Sequence, residues 1–455
     1  MNAQHRVIAQ ASSGIRVIAQ ASSRIRWLSA LSLAACLAPA LVLAELSSTE
    51  QQIVSAVRSR SGEALQLLER SVRVNSGTMN PEGVREVGRI FAAELDELGF
   101  KTRWIDMPRE MKRAGHLFAE RQGGQGKRLL LIGHLDTVFE KNSPVPTWDV
   151  RGARVRGQGV TDMKGGDVIM LEALRALRKA GALDNTTITV AFIGDEERVG
   201  SPIEVARAAL VEAAKRSDVA LAFEGTVRHE GKDTATIGRR SHAGWRLDVA
   251  AKPGHSGGIF ARGESYGAIF EAARVLDAFR SQLIEENVTF SAGVIVGGTE
   301  VTYDDAIQTG GAFGKSNVIP KTVAVTGDLR YLTKEQGERV RARMVEIAGA
   351  NLPGAQTVFH IHEDSPPMSP TPGNLKLLDL YSRSSADAGL GAIEPLPPGL
   401  RGGGDIQHVA DFLDCLDGIG STGSGSHTND EDLELASIER ATIRAAIFIY
   451  RLTRR

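Results

Sequence analysis

Two kinds of apolar pattern alternate along this chain. Short runs that are apolar almost throughout, such as "RLLLIGHLDTV", "TTITVAFIG" and "VALAFEG", read as buried β-strands. Between them lie longer stretches whose apolar residues recur every third or fourth position. "GGDVIMLEALRALRKAG" and "PIEVARAALVEAAKRS" are of this kind and predict helices. Upstream, Ser47 and Glu50 form a capping-box pattern before "QQIVSAVRSR". A second helix is expected from Pro81, with Val84, Val87, Phe91, Leu95 and Leu98 on one face and a stop at Gly99. Strand alternating with helix predicts an α/β fold, a mixed but mostly parallel sheet flanked by helices on both faces.

From about residue 239 the pattern changes. "WRLDVAAK", "VTFSAGVIV" and "TVAVTGDLRYL" read as strands, with helices at about 264–283 and 333–349. This predicts a compact α+β unit, two helices on a four-strand antiparallel sheet, inserted into the larger domain. The last hundred or so residues return to the α/β pattern and finish with the helix "LASIERATIRAAIFIYRLT". The expected organisation is therefore a leader over 1–44, a catalytic domain over 45–238 and 351–455, and an inserted domain over 239–350.

Composition narrows the function classes. Of 455 residues, 42% are hydrophobic and 24% charged, as expected of a globular protein with a real core. A formal net charge of -1 and only 5% aromatic residues, with no basic stripe, set nucleic acid aside.

Residues 1–44 contain no Asp or Glu. Four arginines precede the apolar run "WLSALSLAACLAPALVLA", which ends in small residues, the pattern of a cleaved secretory signal peptide. Two rival readings are a lipoprotein box at Cys36 and an uncleaved anchor. Cleavage removes four of the 54 basic residues and none of the 55 acidic ones, for a net charge of -5. It leaves Cys415 as the one cysteine, so the core must stabilise a periplasmic or secreted protein without an intrachain disulfide.

The chemistry lies at strand ends, where open α/β sheets bind ligands. "LLLIGHLDTV" ends in His134 and Asp136. "GVTDMKGG" places Asp162 in a glycine-rich loop before a helix. "FIGDEE" brings Asp195, Glu196 and Glu197, "ALAFEGT" ends in Glu224, and "GIGSTGSGSHTNDE" presents His427. Any one of these is ordinarily a helix cap or a hydrogen-bonded structural residue. Five converging on one sheet edge call for a cation, because adjacent buried carboxylates repel one another. Imidazole mixed with hard oxygen donors suits divalent zinc, manganese or cobalt.

Taken together, "GHLDTV", "GVTDMKGG", "DEE", "FEGT" and "GSGSH" resemble the co-catalytic zinc hydrolases that include glutamate carboxypeptidase, aminoacylase, acetylornithine deacetylase and succinyl-diaminopimelate desuccinylase. The glutamate carboxypeptidase branch is nearest, on "ITVAFIGDEERVGS", "LAFEGT" and "KSNVIPKTVAVTGDLRY". The resemblance implies two divalent ions per chain, with zinc expected. His134 and Glu224 would hold one, Glu197 and His427 the other, and Asp162 would bridge them before a cis peptide bond to Met163. Asp136 would orient the His134 imidazole. Glu196 would be the general base on a metal-bridging water, provided that the chain turns there. A relative that had lost catalysis would have no use for Glu196.

Within the insert, "RRSHAG" offers His242 and "KPGHSGGIF" offers His255. The family motif follows a strand, which favours His255. The resemblance gives this histidine an oxyanion role in a neighbouring subunit and so implies a homodimer acting as a lid and dimerisation domain. Asn317 in "KSNVIP" and Arg330 in "GDLRY" resemble positions that hold a substrate carboxylate. One segment departs from the pattern: "RGGGDIQH" lacks the threonine that the glutamate branch has before the aspartate, which puts the preference for glutamate in doubt. The resulting expectation is an exported dizinc carboxypeptidase acting on small peptides and releasing a glutamate-like residue. The alternative is an N-acyl amino acid deacylase or dipeptidase.

Overall fold

A computed structural model describes residues 45–305 and 307–454. The leader reading, including Cys36, lies outside the described residues. No helix among the described residues is long and apolar enough to cross a membrane.

The main sheet has six strands. In spatial order they are Lys101–Ile105, His116–Arg121, Thr186–Ile193, Gln125–His134, Val219–Ala222 and Asp414–Leu416. The last four run parallel to one another, and the first two are antiparallel additions at one edge. The apolar runs of the sequence are its central strands. Because side chains alternate, Leu129, Leu131, Val190 and Phe192 enter one core while Leu130, Ile132, Ala191 and Ile193 enter another on the opposite face. The first core is closed by the helices Pro81–Glu97, Gly165–Lys179 and Leu435–Thr453, the second by Ala208–Ala214. Burial on both faces is why these strands carry no polar alternation.

The helix Ser48–Arg58 has the expected capping box from Ser47 and Glu50. Two helical expectations change. A helix Ser61–Val72, which the sequence reading lacks, lies between the first helix and Pro81. The single helix expected over "PIEVARAALVEAAKRS" is broken into Ile203–Ala206 and Ala208–Ala214. The break falls at Arg207, whose guanidinium is drawn inward to ion pairs with Asp195 and Asp405 at 2.6 and 2.7 Å.

The insert is a four-stranded antiparallel sheet in the order Thr289–Gly298, Thr322–Arg330, His242–Ala251 and Ala355–Ser365. Helices Ala268–Gln282 and Lys334–Gly349 cover one face, where Trp245 packs its ring against Phe279 and Phe359. The fourth strand lies beyond residue 350, so the sheet closes only with residues up to 365. The boundary moves because pairing with His242–Ala251, not local composition, recruits that segment. A hairpin, Glu300–Asp304 with Thr309–Phe313, adds to the other face, where Tyr303 hydrogen-bonds Thr326.

One ion cluster ties the last helix to the rest. Asp233 accepts from Arg444 at 2.7 Å and from Arg228 at 3.1 Å. Burial would raise its pKa, but these guanidiniums hold it below the usual carboxylate range. A depressed folded-state pKa contributes stability above the unfolded value near 3.9, and that stability fades as pH falls through the folded value. Asp233→Asn is therefore expected to cost about 2 kcal/mol at pH 7. Its Tm deficit against the parent should shrink below about pH 4. A deficit unchanged down to pH 3 in calorimetry would rule out the charge as its source.

Candidate metal centre

Parallel strands end at the same edge of a sheet, and here that edge carries the ligand candidates. His134 is the last residue of its strand, Glu196 and Glu197 follow Ile193, and Glu224 follows Val219–Ala222. Asp162 sits in the irregular turn Val160–Lys164 ahead of helix Gly165–Lys179, and its peptide bond to Met163 is cis. His427 arrives on the glycine-rich loop. That loop can approach because a Cβ at Gly420 would stand 2.1 Å from the Phe223 carbonyl, and one at Gly423 only 2.0 Å from Thr161 Oγ1.

The five candidates converge around Asp162. Its Oδ1 lies 3.2 Å from His134 Nε2, and its Oδ2 lies 3.2 Å from His427 Nε2. Glu224 Oε1 stands 3.6 Å from the same His134 nitrogen, and Glu197 Oε2 3.0 Å from the same His427 nitrogen. Donor atoms of His134, Asp162 and Glu197 all lie within 4.8 Å of one another, the spacing of a metal-binding group. Glu197 Oε1 is buried without a hydrogen-bond partner among the described residues, as suits a carboxylate oxygen that ligates a cation. Imidazole and carboxylate donors at this spacing fit a divalent ion.

The electrostatics say the same. Burial pushes the Glu224 carboxyl up to about 7, with the Asp162 charge adding to it, and raises Glu197 as well. Burial also raises Glu196 well above the usual carboxylate range. Asp162 is held low against its burial by hydrogen bonds from His134 and His427. His427 in turn rises to about 11 through its bonds to Asp162 and Glu197.

Glu196 stands apart from the ligands. The amides of Glu196 and Glu197 donate to the two oxygens of one carboxylate, Asp136, at 3.0 and 3.1 Å. That pair of bonds makes the turn, so Glu196 faces the cavity beside Asp162 and Glu224 while Glu197 reaches the His427 imidazole. Asp136 therefore positions backbone more than ring. The nearest acceptor for His134 Nδ1 is its main-chain carbonyl at 3.0 Å, whereas its carboxylate is 3.6 Å away, too far for a hydrogen bond. Thr78 holds the carboxylate from the other side at 2.6 Å. Asp195, the third acid of the run, turns inward to Arg207.

The cavity over this cluster is about 440 Å³, lined among others by Asp162, Glu196, Glu224, Arg401 and His427. His255, Asn317 and Arg330 do not line it in the chain by itself. His255 lies in an exposed loop of the insert beside Asn317, whose carbonyl accepts from Ser256 at 3.0 Å. Arg330 ends its strand and pairs with Asp328 at 3.3 Å. His242 opens its strand and lines a separate cavity of about 590 Å³ on the face of the inserted sheet away from its helices.

Sequence reasoning missed two residues here. Glu431, fully buried, accepts the amides of Thr161 and Asp162 at 2.9 and 3.1 Å and so fixes the turn carrying Asp162. Arg401 lines the cavity from "RGGGD", a loop with no local pattern that marks an arginine as part of a site. The aspartate of that loop, Asp405, is committed to Arg207.

Comparison with known proteins agrees with this geometry. The sequence profile of Peptidase family M20/M25/M40 matches residues 130–450. Carboxypeptidase G2 of Pseudomonas sp. (strain RS-16) is 28% identical over 437 residues, covering 92% of this chain and 96% of that protein. Succinyl-diaminopimelate desuccinylase of Delftia acidovorans is 25% identical over 390 residues, covering 82% and 94%. In fold, the chain is similar to aminopeptidase PepT of Bacillus cereus, with a TM-score of 0.69 at 17% identity over 86% of this chain and 98% of that one.

Proposed function

The chain belongs to Peptidase family M20/M25/M40, metal-dependent hydrolases, and on that premise we propose that it is an exported dizinc carboxypeptidase that releases a glutamate-like residue from small peptides. The observation that carries this reading is Asp162, which turns one oxygen to each of two imidazoles beside a glutamate, Glu196, that belongs to neither set. His134, Asp162 and Glu224 would hold one ion, and Asp162, Glu197 and His427 the other. Bound there, the ions acidify a water and polarise the amide carbonyl.

The protein's own residues do the rest. Glu196 takes the proton from the attacking water as its oxygen bonds to the amide carbon. It then delivers that proton to the leaving nitrogen as the C–N bond breaks, and the remaining proton of the new carboxylic acid passes to the amine, giving a carboxylate and an ammonium group. Asp136 keeps the Glu196–Glu197 turn in place. Arg330 and Asn317 would hold the free carboxylate of the substrate, and His255 would act across a homodimer interface. Residues 1–44 would be removed on export.

The test is a substrate panel on the purified protein with added zinc, read by mass spectrometry. Release of glutamate from folyl-glutamate is the expected result. Cleavage confined to N-acyl amino acids or dipeptides would overturn the carboxypeptidase assignment in favour of the deacylase or dipeptidase alternative. The observation behind that alternative is the missing threonine of "RGGGD". In the same assay His255→Ala should lower turnover far more than His242→Ala, and the reverse order would reassign the insert's histidine.

A further inference from the structure

We infer that Arg401 is a positioning residue for Glu224, holding one carboxylate oxygen so that the other is presented to the ion between His134 and Asp162; this rests on the metal-dependent reading above. Glu224 divides its two oxygens. Oε1 is the one 3.6 Å from His134 Nε2, while Oε2 lies 3.7 Å from Arg401 Nη2. Arg401 is anchored next door, where Nη1 donates to the Gly225 carbonyl at 2.9 Å. Its Nε and Nη2 are buried with no hydrogen-bond acceptor among the described residues. A buried guanidinium is costly without a counter-charge, and the second Glu224 oxygen is the anionic group with which Arg401 forms an ion pair.

The loop carrying Arg401 is fixed, so its side chain is placed rather than free to swing. Arg239, itself paired with Asp417 at 2.5 Å, donates to the carbonyls of Gly402 and Gly403. Gly404 N donates to Gln407 Oε1 at 2.8 Å, and Gln407 Nε2 reaches the carbonyls of Arg240 and Pro366 at 3.0 and 2.6 Å. Those two residues lie just outside the strands His242–Ala251 and Ala355–Ser365, where the chain enters and leaves the inserted sheet. A Cβ at Gly404 would stand 2.7 Å from Arg239 Cζ, so glycine is required for this contact. The arrangement is one-sided. Among the described residues Glu197, on the His427 side, has no comparable arginine, and its Oε1 is without a hydrogen-bond partner.

Arg401 should therefore matter to one ion and not to the other. The test loads the full chain with cobalt(II) and follows retention against a graded chelator together with the visible spectrum, for the parent, Arg401→Met and Arg401→Lys. The expected result is two retained ions in the parent. In Arg401→Met, retention of one ion should weaken about 10- to 100-fold, with a changed spectrum, while the other ion is held as before. Arg401→Lys should recover part of the loss, because it restores the charge without the planar fork. Equal melting temperatures of the metal-free proteins would confirm that the fold is intact in both variants. Unchanged retention and spectrum in Arg401→Met would overturn the inference, as would equal weakening of both ions. So would tighter binding, which would mean that repulsion between the guanidinium and the ion outweighs orientation. A parent that retains no cobalt would instead bring down the metal-dependent reading itself, and the inference with it.

Discussion

Glu196→Gln is expected to lower turnover by about 10²- to 10⁴-fold while the metal content stays that of the parent. Glutamine matches the shape of glutamate, and the backbone bonds from residues 196 and 197 to Asp136 do not involve the side chain. The ligand geometry around Asp162 should therefore survive the change. What glutamine cannot do is accept a proton from water and return it to a leaving nitrogen. Burial raises the proton affinity of the Glu196 carboxyl, which suits a group that must take a proton in one step and pass it on in the next. Product release and metal analysis on the same preparation decide the matter. Retained turnover would remove Glu196 from its role. Lost metal would show instead that Glu196 is a ligand.

Asp162→Ala should do what no other single ligand change does, namely weaken both metal positions together. Glu224 faces one imidazole and Glu197 the other, whereas Asp162 faces both, with 3.2 Å on either side. Ligand binding stabilises a fold by mass action, so zinc at about a hundredfold over its dissociation constant should add about 2.7 kcal/mol to the parent. The variant should show no such rise in Tm. Its metal-free form should also lose the bond that most raises the His427 pKa, so that this histidine titrates closer to its ordinary range. Full zinc content in Asp162→Ala, or an undiminished thermal response to zinc, would show that Asp162 does not bridge.

The sequence by itself determined the parallel sheet, most of its helices and the ligand candidates. Strands such as Thr186–Ile193 are buried on both faces and must be apolar throughout, and helices such as Pro81–Glu97 must show a single apolar stripe, so both patterns are written locally. The ligand candidates were legible because parallel strands deliver their C-terminal residues to one edge, which makes position along the chain a guide to position in space.

Other features were decided only by contacts between distant segments. The strand Ala355–Ser365 belongs to the insert because its partner begins 113 residues earlier at His242. The helix break at Arg207 exists because Asp195 and Asp405, from two other segments, claim its side chain. The division of Asp136 between two amides and a threonine could not be read from the strand that carries it. Arg401 was hidden for the same reason. Its partner Glu224 lies far away in sequence, and a guanidinium in a glycine run has no local pattern to mark it. Burial and periodicity are properties of neighbours in the chain; ion pairs and backbone anchors belong to neighbours in space, and only the folded structure brings those together.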